Sequence, residues 1–92
     1  MTKRLKDREV ANRPYGRITW EQYLFLNPMA KELHDWWMNE KPEMYNEMAD
    51  EGSLLPELKK RGDLYNRQVI MYMRQGLQEF EAKELVRADF QT

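Results

Sequence analysis

Between Asp63 and Phe80 the apolar residues recur at the spacing of an α-helix. Tyr65, Val69, Tyr72, Met73, Gly76, Leu77 and Phe80 fall on one stripe, and Arg67, Gln68, Arg74, Gln75, Gln78 and Glu79 fall opposite. The preceding stretches repeat the pattern in shorter pieces, each with a start signal. Thr19 and Gln22 form a Thr-x-x-Gln capping box ahead of Trp20 to Leu26. Asn27-Pro28 supplies a cap and a first-turn proline for a helix from Pro28 to about Asn39, whose stripe is Met29, Ala30, Leu33, Trp36 and Trp37. Lys41-Pro42 starts the next, which buries Met44, Tyr45, Met48 and Ala49 and stops at Gly52. Ser53 caps a short helix from Leu54 to Arg61, Gly62 ends it, and Asp63 caps the long one. After Phe80 the apolar stripe changes face, to Ala82, Leu85 and Val86, with Phe90 beyond.

The expectation is an all-α domain: a small bundle of short helices packed on one long C-terminal amphipathic helix, with a basic N-terminal arm over residues 1–15. A chain of 92 residues is one domain with little interior, so it depends on well-packed helices or on pairing. There is no cysteine, hence no disulfide and no thiolate metal site. No apolar run approaches the roughly 20 residues that cross a bilayer, and Met1 to Asn12 lacks the apolar core of a secretory signal. A cytoplasmic protein without membrane contact is expected.

The net charge of −1 hides an uneven distribution. Met1 to Ile18 carries six basic residues against two acids. Thr19 to Leu58 carries nine acids against Lys31 and Lys41, and Lys59 to Thr92 is mildly basic. The acids Glu43, Glu47, Asp50 and Glu51, with Glu40 just upstream, form a ridge suited either to solvation or to a partner with a basic surface. Trp36 and Trp37 belong to the core, or one of them anchors that partner. Met38, on the polar side of the same helix, extends an exposed patch. Lys3, Arg4, Lys6 and Arg8 of the arm, and Arg67 and Arg74 of the long helix, are the residues that would touch phosphates if the chain bound nucleic acid. Leu85, Val86 and Phe90 on the second stripe would serve a homodimer.

Catalytic chemistry finds little to work with. Ser53 is explained as a cap, and no Gly-rich phosphate loop or nucleophile elbow is present. His34 is the only histidine; a metal site would want ligands three or four residues on, where Trp37 and Met38 stand. The carboxylates from Glu43 to Glu51 do not have the spacing of a calcium loop. No cofactor or metal is implied, and a non-enzyme is expected.

The run Pro42, Tyr45, Asn46 and Met48, followed by Gly52, Leu54, Pro56 and Leu58, with Tyr15-Gly16-Arg17 upstream, resembles the signature of the TnpV-like proteins of transposons and conjugative elements. Two departures stand out. The segment between Gly16 and Pro42 is longer, and the family's C-terminal Trp-Val and Met-Asn stretch is not recognisable. The resemblance implies a helical fold and an origin in a mobile element or phage, and it assigns no site residue. Together these readings point to a protein-interaction module of a mobile element. One form is an inhibitor of a host defence nuclease, similar in style to anti-CRISPR proteins; the partner would then be a nucleic-acid-processing effector. The alternative is a nucleic-acid-binding accessory factor for transposon transfer.

Overall fold

A computed structural model describes residues 12–90. A short antiparallel hairpin opens it: β1 (Pro14–Tyr15) pairs with β2 (Ile18–Thr19), Pro14 opposite Thr19 and Tyr15 opposite Ile18. Five helices follow: α1 (Trp20–Leu24), α2 (Pro28–Glu40), α3 (Pro42–Glu51), α4 (Leu54–Arg74) and α5 (Glu79–Phe90). The described chain is therefore mostly helical, with a two-stranded sheet that helical periodicity does not reveal. The expected basic arm lies outside the described residues up to position 11. Pro14–Tyr15, counted in that arm, form the first strand instead.

The local start signals operate as their chemistry dictates. Thr19 Oγ1 accepts the Gln22 amide at 3.1 Å while Gln22 Oε1 accepts the Thr19 amide at 2.9 Å, so two backbone donors are satisfied reciprocally. Asn27 Oδ1 accepts the Ala30 amide at 2.8 Å, with Pro28 in the first turn of α2. At the end of α3, Gly52 turns left-handed at φ +78°. The Ser53 amide then reaches the Met48 carbonyl at 2.9 Å, closing a Schellman motif. Ser53 does not cap α4; its hydroxyl donates to the Met48 carbonyl.

The long helix differs from its expected bounds at both ends. Arg61, Gly62 and Asp63 do not divide two helices: α4 runs unbroken from Leu54 to Arg74. Gly62 is buried in its interior, where a Cβ would lie 2.4 Å from Ala30 Cβ and 3.1 Å from Ala30 Cα. The residue is there for its missing side chain, which lets α2 lie against α4, rather than for conformational freedom. At the other end the helix stops at Arg74, and Gly76 at φ +103° turns the chain into α5. The change of face after Phe80 is thus the phase break between two helices. Met73 and Phe80, expected inside, are exposed, whereas Val69 is buried and Tyr65, Tyr72 and Leu77 pack partly against the core.

The core draws on β2, the turn after α1 and the four later helices. Ile18 and Leu26 join Met29, Ala30, Leu33 and Trp37 of α2, Tyr45 of α3, Leu54, Leu58 and Val69 of α4, and Ala82, Val86 and Phe90 of α5. α4 contacts α2, α3 and α5. Arg87 of α5 reaches back to Glu32 of α2 with two hydrogen bonds of 2.7 Å, a forked pair that ties the last helix to the second.

Candidate functional site

Two places concentrate polar chemistry: an internal cluster around His34 and an outer ridge on α3. The cluster is built by α2, which turns consecutive residues in different directions. His34 points inward and is fully buried; Asp35 sits half-exposed at the edge. Three tyrosines converge on them from three elements: Tyr15 from β1, Tyr23 from α1 and Tyr45 from α3. Tyr15 Oη donates to Asp35 Oδ1 at 2.8 Å and Tyr23 Oη to Asp35 Oδ2 at 3.1 Å. His34 Nδ1 lies 3.1 Å from Asp35 Oδ1, and His34 Nε2 lies 2.7 Å from Tyr45 Oη. Tyr45 Oη accepts the Arg17 amide at 2.8 Å, which leaves its own proton for His34 Nε2. The imidazole is then neutral with its proton on Nδ1, donated to Asp35. Trp20 stacks on Tyr15 with ring centres 4.3 Å apart, and Tyr15, Tyr23 and Tyr45 each pack a ring near the imidazole.

Burial sets the protonation states. It pushes the Tyr15, Tyr23 and Tyr45 hydroxyls above the usual phenol range. The Asp35 carboxylate adds to the rise at all three, and Arg17 offsets part of it at Tyr45. Burial also lowers the His34 pKa, against the opposing pull of Asp35. At neutral pH three protonated tyrosines and a neutral histidine gather around Asp35. Each hydrogen bond named here joins different elements or adjacent residues of α2, and the histidine is sealed from solvent. That arrangement fixes the hairpin, α1 and α3 to α2. Among the described residues no group of three or more His, Asp or Glu side chains converges as a metal site would require.

The same corner joins two segments far apart in sequence. Gly16 adopts φ +64°, and a Cβ there would lie 2.5 Å from Tyr45 Oη and 2.6 Å from Met38 Sδ. Arg17 extends over α3, its guanidinium bonding Asn46 Oδ1 at 3.2 Å and the Asp50 carboxylate. Met38, expected on an exposed patch, instead packs against the core beneath this contact.

On the outer face Glu40, Glu43, Glu47, Asp50 and Glu51 are all exposed. Asp50 is engaged by Arg17. Glu43, Glu47 and Glu51 follow one another at single-turn intervals on α3, and no ion pair involves them or Glu40 among the described residues. Met44, expected to be buried, is exposed beside them. Trp37 is buried with Arg61 over its ring, and Trp36 is half-buried between Phe90 and Lys41. Arg67 and Arg74 are exposed on α4, while Lys3, Arg4, Lys6 and Arg8 lie outside the described residues. Of the three residues considered for self-association, Val86 and Phe90 are core and only Leu85 is exposed.

Two exposed aromatic residues add to the surface: Phe25, which sequence reasoning did not single out, and Phe80, which it placed inside. Phe25, 79 % exposed, stands at the end of α1, and Phe80 stands at the start of α5. A signal existed for the first: Tyr23-Leu24-Phe25-Leu26 is four apolar residues in a row, and so short a helix cannot turn them all inward. No protein-family model, curated protein or solved structure matches this chain.

Proposed function

We propose that the chain is a non-enzymatic protein-interaction module of a mobile element or phage, which engages a basic surface of a partner through the α3 ridge. A host defence nuclease fits as the partner, since its phosphate-binding groove would offer such a surface; the chain would then act as an inhibitor of the anti-CRISPR kind. One observation carries this reading: Glu43, Glu47 and Glu51 are repeated on one exposed face and make no ion pair among the described residues. Like charges one turn apart cost a helix a few tenths of a kcal/mol per pair, about 0.2–0.5. Glu51 also opposes the helix dipole at the C-terminal end. A face kept at that cost, and not relieved by an ion pair among the described residues, is suited to a cationic partner. The meeting of Tyr15-Gly16-Arg17 with Tyr45 and Asn46 gives the segments that resemble the TnpV-like signature a joint structural role.

The test is capture of partners from host lysate by the wild-type chain and by Glu43→Lys/Glu47→Lys, followed by a cleavage-protection assay with the captured nuclease. Capture and protection lost in the variant are expected. A captured partner that binds both proteins equally, or no effect on cleavage, overturns the reading.

A second reading has its own support. Arg67 and Arg74 are exposed on α4 and make no ion pair among the described residues, which suits an accessory factor that binds nucleic acid. Binding to random duplex at low salt, falling steeply as salt is added, is what that reading requires. No binding at low salt removes it.

A further inference from the structure

The outward face of α4 carries more apolar surface than a solvated helix needs. Val69, Ile70, Met71, Tyr72 and Met73 are five consecutive apolar residues, and at 100° per residue they wrap more than a full turn. Val69 faces the core and Tyr72 is partly covered, but Ile70, Met71 and Met73 are exposed. Leu64, seven residues before Met71, is exposed on the same side. Lys60, Arg67 and Arg74 form a second heptad-spaced row beside Leu64 and Met71; all three are exposed and none is in an ion pair among the described residues. No acid lies between Asp63 and Arg74. An apolar row flanked by a charged row at seven-residue spacing is the pattern of a helix–helix seam.

The charges decide what fits. Two copies of α4 laid antiparallel would bring Arg67 and Arg74 against one another, which like charge opposes, and a parallel pair would set them against the uncharged Gln68 and Gln75. Nucleic acid would satisfy the arginines but would leave Leu64, Ile70 and Met71 against a charged backbone. The fitting surface is acidic, helical and partly apolar, and this chain presents one. Glu43, Glu47 and Glu51 span eight residues of α3, about 12 Å, with Met44 exposed alongside. Arg67 and Arg74 stand seven residues apart, about 10.5 Å.

We infer that the basic and apolar face of α4, from Lys60 to Arg74, receives the acidic α3 face of a second copy of the chain. In a two-fold pair each copy gives its ridge and takes the other's, so the contact is made twice. The inference rests on the reading of the α3 ridge as a binding face, and names a second copy as an occupant.

Sedimentation equilibrium over a range of concentrations at low salt tests it with three proteins: wild type, Arg67→Glu/Arg74→Glu and Glu43→Lys/Glu47→Lys. Circular dichroism checks that each is folded; every altered residue is exposed. The wild type is expected to rise above its monomer mass of 11.3 kDa with concentration and to fall back as salt screens the contact. Each variant alone opposes like with like and should associate about tenfold more weakly or worse. An equimolar mixture of the two variants restores opposite charges at both contacts and should recover association. A wild type that stays monomeric at low salt overturns the inference, as do variants that associate like the wild type or a mixture that does not recover. These outcomes are separable from the proposed function. A monomeric chain that still captures a basic partner through Glu43 and Glu47 leaves that function standing alone. A chain that pairs but protects no nuclease leaves only the pairing.

Discussion

Gly62→Ala places two effects of known size in opposition. In a solvated helix interior, alanine is favoured over glycine by about 0.8–1 kcal/mol, because it has less backbone freedom to lose. In α4 the new methyl would meet Ala30 Cβ at 2.4 Å, Asn27 Oδ1 at 3.0 Å and Ala30 Cα at 3.1 Å. Ala30 is itself a short, rigid side chain in the middle of α2, so no rotamer change relieves the overlap. The helices must separate by about 1 Å, and overpacking of this kind costs about 1–3 kcal/mol. Asn27 would be pushed as well. It caps α2 through the Ala30 amide and donates to Asp63 at 3.3 Å, and losing such a cap costs about 1 kcal/mol. The overlap and the cap outweigh the propensity gain, and the net expectation is a destabilisation of about 1–3 kcal/mol. Urea denaturation followed by circular dichroism measures it, with an unchanged slope m showing that stability alone has moved. Ala30→Gly in the same chain removes the closest contact, so the double variant should recover part of the loss although it contains one more glycine-for-alanine change in a helix. If Gly62→Ala is instead stabilising by about 1 kcal/mol, as in an open helix, the close approach of α2 and α4 is wrong.

Three other outcomes follow from the same contacts. Burial holds the His34 pKa below its ordinary value of about 6.5, so the unfolded chain takes up the proton first as pH falls. Stability should be full above about pH 6.5 and fall below it, by at most about 1.4 kcal/mol per pH unit. Since His34 is the only histidine, urea midpoints at pH 5 and pH 7 should converge in His34→Gln. Gly16→Ala adds a methyl at a left-handed residue against Tyr45 Oη and Met38 Sδ, and a loss of about 2–4 kcal/mol is expected in thermal melts, partly recovered by Tyr45→Phe. Gln68 Oε1 is buried without a hydrogen-bond partner among the described residues, so Gln68→Met should raise stability by about 1 kcal/mol in the same assay.

The readable parts of the fold were those governed by neighbours in sequence. The Thr19–Gln22 box, the Asn27–Pro28 start and the Gly52 stop each depend on a few adjacent residues, and α1, α2 and α3 begin and end close to where these signals place them. Gly62 was misleading because glycine has two separate uses. Beside Arg61 and Asp63 it has the local appearance of a helix end, and only the position of Ala30, 32 residues away, reveals that the missing Cβ is what matters. Gly76, which does end the helix, lay inside an apolar stripe that continued through it by coincidence of phase. The His34 cluster was illegible for the same reason: its partners come from β1, α1 and α3, and no spacing within α2 announces them. The exposed carboxylates were easier, since a solvated helical face needs no distant partner to be recognised. Which tryptophan was covered depended on α4 and α5, and could not be read from α2.

The unbroken course of α4 through Gly62 makes it a ruler. Had the chain ended one helix at Arg61 and begun another at Asp63, the part carrying α2 and α3 could pivot relative to the part carrying α5. A single helix of 21 residues, about 31 Å long, removes that joint. The distance from Lys60 near the start of α4 to Arg74 at its end is then set by the geometry of one helix. Any body that grips both ends must match that length. A second binding event on a matched body is intramolecular, with a high effective concentration, and on a mismatched one it does not occur. Insertion or deletion of single residues between Gly62 and Arg67 would rotate one face by about 100° per residue relative to the other, so the helix sets their relative direction as well as their spacing.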